Sequence, residues 1–255
     1  RDREEIIDVL YAGLGEPFQA APRPESPFYD EELAKQYTEW DPDRANEILD
    51  SIGLTERNDE GTRLMSDGRP VVIRVDVSTD LGAQLDILEL VKRHWAEIGV
   101  NLDVRKSERS FVYDQKATNQ HMMHVWKGDG GLGDAQLDPR YYIPVNDESA
   151  YAIEWAKNWY QPDAENLMAP PAPVAEQFDL LKAMYASPSP DERSDLFARA
   201  LEITKQEFYT IGVSLPPASF GVTTNVMRNV PENQPHAWQY PNPGPMNTSL
   251  LFKSE

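Results

Sequence analysis

The chain has no cysteine. Disulfides, thiolate metal sites and cysteine nucleophiles are therefore excluded. Histidine is scarce, with only His94, His121, His124 and His236. No Gly-x-Ser-x-Gly elbow, His-Glu-x-x-His pair or phosphate-binding loop occurs. No apolar run approaches the ~20 residues of a membrane span. No secretory leader is present either, but the chain opens on Arg1-Asp2-Arg3-Glu4-Glu5, without Met and already inside a helix. It is expected to be part of a longer protein, so its opening says nothing about compartment. Positive charge is also short: 24 Lys and Arg stand against 43 Asp and Glu, a net charge of −19. Such a field repels nucleic acid and anionic lipid. It suits simple solubility, or a salty habitat in which acidic surfaces are screened.

What is present fits a folded protein. Hydrophobic residues make up 40% of the 255 and aromatic residues 10%, enough for a core in one large domain or in one domain plus part of another. Asp2 is placed to cap a helix over Arg3 to Tyr11 that stops at Gly13. Residues 14–40 read as irregular, with Pro17, Pro22, Pro24 and Pro27. Asp41-Pro42 is a strong helix start, and that helix runs to about Ile52. Asn58 to Arg69 reads as a hairpin-like connection turning at Asp67-Gly68.

Val71 to Val77 has the composition of a strand. Gly82 to Ile98 has the period of an amphipathic helix, with Leu85, Leu88, Val91, Trp95 and Ile98 inward. A strand over Val100 to Val104, a helix near Glu108 to Thr118 and a strand over His121 to Trp126 complete a β-α-β-α-β order. That order predicts parallel strands joined by right-handed crossovers, and so an α/β domain. Helices are expected over Ala150 to Trp159, Val174 to Ala186 and Pro190 to Glu207, with a proline-rich surface segment at 161–173. Strands are expected over Phe208 to Leu215 and Ala218 to Val226. The last thirty residues, rich in proline, are expected to wrap over a neighbouring surface.

Catalysis has weak support. His121 and His124, three apart on a strand, should point to opposite faces and make poor joint metal ligands. His94 reads as a surface or rim residue. Acid pairs such as Asp147-Glu148 and Glu31-Glu32 read as surface carboxylates. Gly128 to Gly133 mimics a dinucleotide fingerprint, but a proline-containing stretch follows where a helix should begin. Asn247-Thr248-Ser249 fits a short glycosylation sequon.

Binding has better support. The strand ending at Trp126 runs into the glycine loop, and glycine lets backbone approach a ligand closely. Loops at strand ends are where α/β proteins bind ligands. Trp126, Tyr141, Tyr142, Trp155, Trp159 and Tyr160 then fall within thirty-five residues. On a helix, Trp155 and Trp159 share a face that Tyr151 extends. These aromatics suit core packing, or stacking on sugar rings and peptide side chains. Asp129 suits a solvated turn, a cationic ligand group or hydroxyl donors.

Several segments together resemble a known family. They are Asp2 to Tyr11, Gly15-Glu16-Pro17, Ser26-Pro27-Phe28-Tyr29, Tyr37 with Asp41 to Asp50 and Gly53-Leu54, Leu64 with Asp67-Gly68-Arg69-Pro70, and Trp95-Ala96-Glu97-Ile98-Gly99-Val100. Their order over about residues 1–220 resembles the family 5 extracellular solute-binding proteins of bacterial ABC importers. The resemblance implies a periplasmic-binding-protein type II-like α/β lobe, with a mixed sheet flanked by helices. Residues 1–210 would form an incomplete C-terminal ligand-binding lobe. Residues 211–255 would form a hinge strand and tail that pack on an N-terminal lobe outside this chain.

The resemblance also implies a binding protein and not an enzyme, with no cofactor. It would be a periplasmic or lipid-anchored monomer that delivers an oligopeptide or oligosaccharide to a membrane permease and ATPase. Trp126-Lys127-Gly128-Asp129 matches the family's Trp-x-x-Asp, whose carboxylate pairs with a peptide's α-ammonium. The usual continuation, Asp-Tyr-x-(Asp/Glu)-Pro, is replaced by Asp129-Gly130-Gly131. The expected ligand contacts are therefore Trp126, Gly128, Asp129, Tyr141, Tyr142, Trp155 and Trp159, with peptide and sugar both open. A carboxylate-dependent hydrolase and a signalling receptor are the alternatives from other classes.

Overall fold

The computed structural model describes residues 1–128, 130–241 and 243–254. Helix starts follow local capping chemistry. Asp2 accepts a hydrogen bond from the Glu5 amide at 2.9 Å and opens α1 (Arg3–Tyr11). A side-chain acceptor there satisfies an amide that the helix itself leaves unpaired. After β1 (Glu16–Pro17), Asp30 caps α2 (Glu31–Lys35) through the Leu33 amide at 2.9 Å. This helix lies in the stretch expected to be irregular, and its five residues are too few to display a period. Asp41 caps α3 (Pro42–Ser51) through the Arg44 amide at 2.8 Å. Two antiparallel bridges, Arg57 with Arg63 and Leu64 with Pro70, then form the expected hairpin-like link.

The heart of the chain is β2 (Val72–Ser78), α4 (Gly82–Glu97), β3 (Asn101–Ser107), α5 (Arg109–Ala117) and β4 (Met123–His124). The strands lie in the order β3-β2-β4, and both pairings are parallel. β2 runs beside β3 from Val72 opposite Asn101 to Ser78 opposite Ser107. β4 is shorter than the expected 121–126: it pairs only Met123 and His124, with Val75 and Asp76. Among the described residues it is an outer strand, with a neighbour on one side only. The chain leaves for the glycine loop after one more bond, Val125 amide to Asp76 carbonyl at 3.2 Å.

Ile6, Val75, Val77, Leu88, Val91 and Leu102 form the core of this sheet region. α4 buries Ile87, Leu88, Val91 and His94, while Leu85, Trp95 and Ile98 are half-buried. His94 is thus not a rim residue; it is 2% exposed. Its Nδ1 accepts from the Asp2 amide at 3.3 Å and its Nε2 lies 2.6 Å from Glu5 Oε2. With both ring nitrogens partnered, the polar ring can be buried. Arg63, also 2% exposed, ties α3 to the turn after α4. It donates to the Ile98 carbonyl at 2.8 Å, to Asp50 at 2.5 Å and to Asn46 Oδ1 at 2.7 Å.

A second core follows. α6 (Ile153–Tyr160), α7 (Ala172–Ala186) and α8 (Pro190–Glu207) surround Phe178, Leu181, Met184, Phe197, Ala200 and Leu201. Burial of each large apolar side chain here stabilises the fold by about 1.5–3 kcal/mol. α6 starts later than expected because Ala152 takes the left-handed conformation (φ 49°).

The strand expected over Phe208 to Leu215 shrinks to β5 (Ser214–Leu215), which pairs antiparallel with β1. Phe208 itself closes α8 in the left-handed region (φ 51°). At Gly212, a Cβ would collide with the Gln19 backbone. There the amide donates to Gln19 Oε1 at 2.8 Å, and Arg1 and Arg3 donate to the carbonyl. The strand expected over Ala218 to Val226 does not form. No strand among the described residues pairs with it, and Phe220 and Val222 are 91% exposed. β6 (Met227–Arg228) and β7 (Phe252–Lys253) pair with each other instead. Parallel and antiparallel pairing therefore occur in separate ladders of one α/β lobe. No helix among the described residues is long and apolar enough to cross a membrane.

Candidate ligand-binding site

The carboxyl ends of parallel strands are where open α/β sheets place their ligands. Here those ends carry a set of polar and aromatic side chains. β2 ends in Ser78, which is buried and donates to Asp80. β3 ends two residues before Arg109, which starts α5. Two residues past β4 stands Trp126, half-buried.

Arg109, Tyr113 and Trp126 form one assembly. The Arg109 guanidinium lies over the Trp126 ring at 4.6 Å and over the Tyr113 ring at 5.4 Å. Tyr113 meets Trp126 edge to face, with centroids 5.7 Å apart at 83°. Residues 109, 113 and 116 share one face of α5, because three- and four-residue steps return to the same side of a helix. The Tyr113 hydroxyl donates to Glu148 Oε2 at 2.7 Å. Burial first, then that hydrogen bond, pushes the phenol above its ordinary range, so it stays a donor. Lys116 lies 4.9 Å from the Tyr113 ring, and burial lowers its pKa.

Glu148 is therefore not a random surface carboxylate. A tight turn presents it: Ser149 Oγ accepts from the Val145 and Asn146 amides at 2.9 and 3.0 Å, and Asn146 Oδ1 accepts from the Glu148 amide at 3.0 Å.

The sequence-predicted aromatics do not converge. Trp126, half-buried, packs against the sheet core. Tyr142, 3% exposed, lies in the helical core, with Tyr141, Trp155 and Trp159 packed against it. Trp155 meets Tyr209 at 5.6 Å; Trp159 meets Phe178 at 5.7 Å and Tyr185 at 6.2 Å. Tyr151 precedes α6 and donates to the Tyr142 carbonyl at 3.1 Å.

The glycine loop leaves Gly128 exposed with open space where a Cβ would be. Asp129 lies outside the described residues. Farther on, the loop is pinned from both sides. Arg23 donates its amide to the Gly131 carbonyl at 2.8 Å. Asp134 accepts from the Gly131 and Leu132 amides at 3.2 and 2.9 Å and from the Tyr240 hydroxyl at 2.7 Å. The tail thereby borders a shallow, open hollow of about 290 Å³ lined by Leu132, Asp134, Pro235, Tyr240 and Pro245 among others.

His121 and His124 depart from expectation. Their rings approach to 5.2 Å, because His121 precedes the paired segment and strand alternation does not govern it. No group of three or more His, Asp or Glu side chains among the described residues is arranged to hold a metal ion.

Bacterial extracellular solute-binding proteins, family 5 (the middle region), match residues 1–149. The chain belongs to this family. The family is one of solute-binding proteins, not enzymes. Among solved structures the chain is similar to the oligopeptide-binding protein OppA, with 29% identity and a TM-score of 0.81 over 100% of this chain and 42% of that one. It is also similar to MelB of Agrobacterium fabrum in complex with stachyose, at 20% identity and a TM-score of 0.63, covering 84% of this chain and 32% of that one. A mannohexaose-bound periplasmic oligopeptide-binding protein of Thermotoga maritima matches at 19% identity and a TM-score of 0.65, covering 90% and 42%. These last two likenesses concern the fold alone. A search of the curated proteins returns no match. This family 5 chain thus spans about two-fifths of the length of OppA.

Proposed function

We propose that this protein is the solute-capturing component of a bacterial ABC importer, working outside the cytoplasmic membrane. Its ligand, an oligopeptide in the leading version, is held in a cleft between two lobes and delivered to a membrane permease and its ATPase. Family membership supports the class. The observation that carries the site is the Arg109–Tyr113–Trp126 assembly at the carboxyl edge of the sheet. In this reading the ligand meets Trp126, Gly128 and Asp129. Asp129 pairs with the ligand's α-ammonium, as the Trp126-x-x-Asp129 spacing suggests. Tyr141, Tyr142, Trp155 and Trp159 support the wall behind it through the helical core. Within residues 211–255, the exposed stretch around Phe220 and Val222 meets the second lobe.

Peptide is favoured over sugar because Trp126 already has Arg109 over its ring, and Trp155 and Trp159 are engaged by Tyr209, Phe178 and Tyr185. A thermal-shift screen of the full-length protein against mixed oligopeptides and mixed oligosaccharides tests this. A ligand at 100 times its Kd adds about 2.7 kcal/mol to the folded state, a shift of roughly 2–4 °C. A shift with peptides that Asp129→Ala removes is the expected result. A shift with sugars alone would replace the peptide version, and turnover of a bound oligomer would replace the receptor by a hydrolase.

A further inference from the structure

We propose that Tyr240 is a positioning residue for the ligand loop: through Asp134 it holds the root of the loop that carries Gly128 and Asp129. The proposal rests on the importer reading and concerns how its site is held in shape. Three observations support it. First, the loop has a fixed root and a free tip. Gly130 and Gly131 both take the left-handed conformation (φ 63° and 91°), which glycine adopts without steric cost. The amides of Gly131 and Leu132 then turn together onto the Asp134 carboxylate, at 3.2 and 2.9 Å. Consecutive amides arranged in this way form a concavity for an anion. The carbonyls of the same two residues accept from the Arg23 amide at 2.8 Å and from the Ser26 hydroxyl at 3.1 Å. Gly128, just upstream, is exposed with open space where a Cβ would stand.

Second, the Asp134 carboxylate is shared between the loop and the tail. Its Oδ1 accepts from the Leu132 amide and also from the Tyr240 hydroxyl, the latter at 2.7 Å. That phenol lies 106 residues later in the chain, so it orients Asp134 from outside the loop. Gly130 leaves the room this needs, because a Cβ there would collide with Asp134 Oδ2. Third, the tail is seated at this point. Ala237 is 1% exposed and forms an antiparallel bridge with Tyr240, and Gln239 donates to Asp138. Residues 216–226, which lead to this turn, are exposed throughout. A root held in place beforehand lowers the ordering cost of binding, and its loss should show chiefly as faster dissociation.

Tyr240→Phe in the full-length protein removes the hydroxyl and keeps the ring. Hydrogen exchange, read by mass spectrometry, reports on the loop without any ligand. Exchange over residues 130–133 should quicken about tenfold, as expected for one lost charge-assisted hydrogen bond. The second readout is release of bound solute after dilution, with mixed tri- to pentapeptides and mixed oligosaccharides as probes. Whichever pool binds should leave Tyr240→Phe about fivefold faster than the parent protein. Phe197→Ala, a larger loss of stability, should leave release from the folded protein unchanged, so a merely structural role would not produce this result. Gly130→Ala displaces the same carboxylate from the loop side; it should act like Tyr240→Phe, and the double variant should add nothing further. Unchanged loop exchange in Tyr240→Phe, or quickened exchange with unchanged release, would overturn the positioning role and leave the importer reading standing. Binding of neither pool by the parent protein would overturn the importer reading, and exchange would still decide whether Tyr240 holds the loop.

Discussion

The sheet core and the helical core hold tryptophans of two different kinds. Trp126 stands at the open carboxyl edge of the sheet, with a cation over its ring and a tyrosine at its side. Trp155 and Trp159 stand on α6, engaged by Tyr209, Phe178 and Tyr185 against the helices behind them. In the sequence the three form one aromatic concentration. In the fold, what separates them is the environment of each ring: charged and polar at one place, apolar at the other. A density of aromatics in the sequence thus does not predict a shared environment in the fold.

Substitutions in the two cores should sharpen that contrast. The largest effect is expected at Phe197, which is fully buried and meets Phe28 edge to face at 4.8 Å. Phe197→Ala should cost about 3–5 kcal/mol of stability, measured by urea unfolding, with ligand affinity unchanged in the folded fraction. Trp159→Ala, at a half-buried position, should cost about 2 kcal/mol through lost packing and move affinity less than twofold. At the sheet edge the balance reverses. Tyr113→Phe removes the hydrogen bond to Glu148 and should cost only about 1 kcal/mol of stability, yet weaken binding severalfold by loosening Arg109.

The smallest effect is absent at neutral pH. Burial first, and then Lys116 and His121, pushes His124 down to about 3. The folded state keeps this ring neutral, while the unfolded chain takes up a proton below about pH 6.5. Its contribution to stability is therefore constant above pH 6.5 and is lost as the pH falls toward 3. Urea melts at pH 7 and pH 5 should show His124→Phe losing less stability on acidification than the parent protein. An equal loss in both would mean that His124 is not desolvated as described.

Most of the framework was legible because its causes are local. Asp2, Asp41 with Pro42, and Ser189 with Pro190 each start a helix where capping chemistry predicts. The β2-α4-β3-α5-β4 order follows from period and composition. Strands whose partners are remote were legible only in part. Ser214–Leu215 is a strand because Glu16–Pro17 reaches it, and residues 218–226 are none because nothing among the described residues does. Within the proposed site, Trp126 stands out in the sequence by its place before a glycine loop. Arg109, Tyr113 and Glu148 do not, since they meet it through tertiary packing. Two signals in the sequence pointed their way: residues 109, 113 and 116 on one helix face, and the local excess of cations over 105–127.

The most direct measurement is a paired titration of full-length Trp126→Ala and Trp159→Ala with the same bound oligopeptide or oligosaccharide. If the sheet edge is the binding surface, Trp126→Ala loses tenfold or more in affinity and Trp159→Ala stays within twofold of the parent protein. The reverse pattern would contradict this account and move the site to the aromatic face of α6.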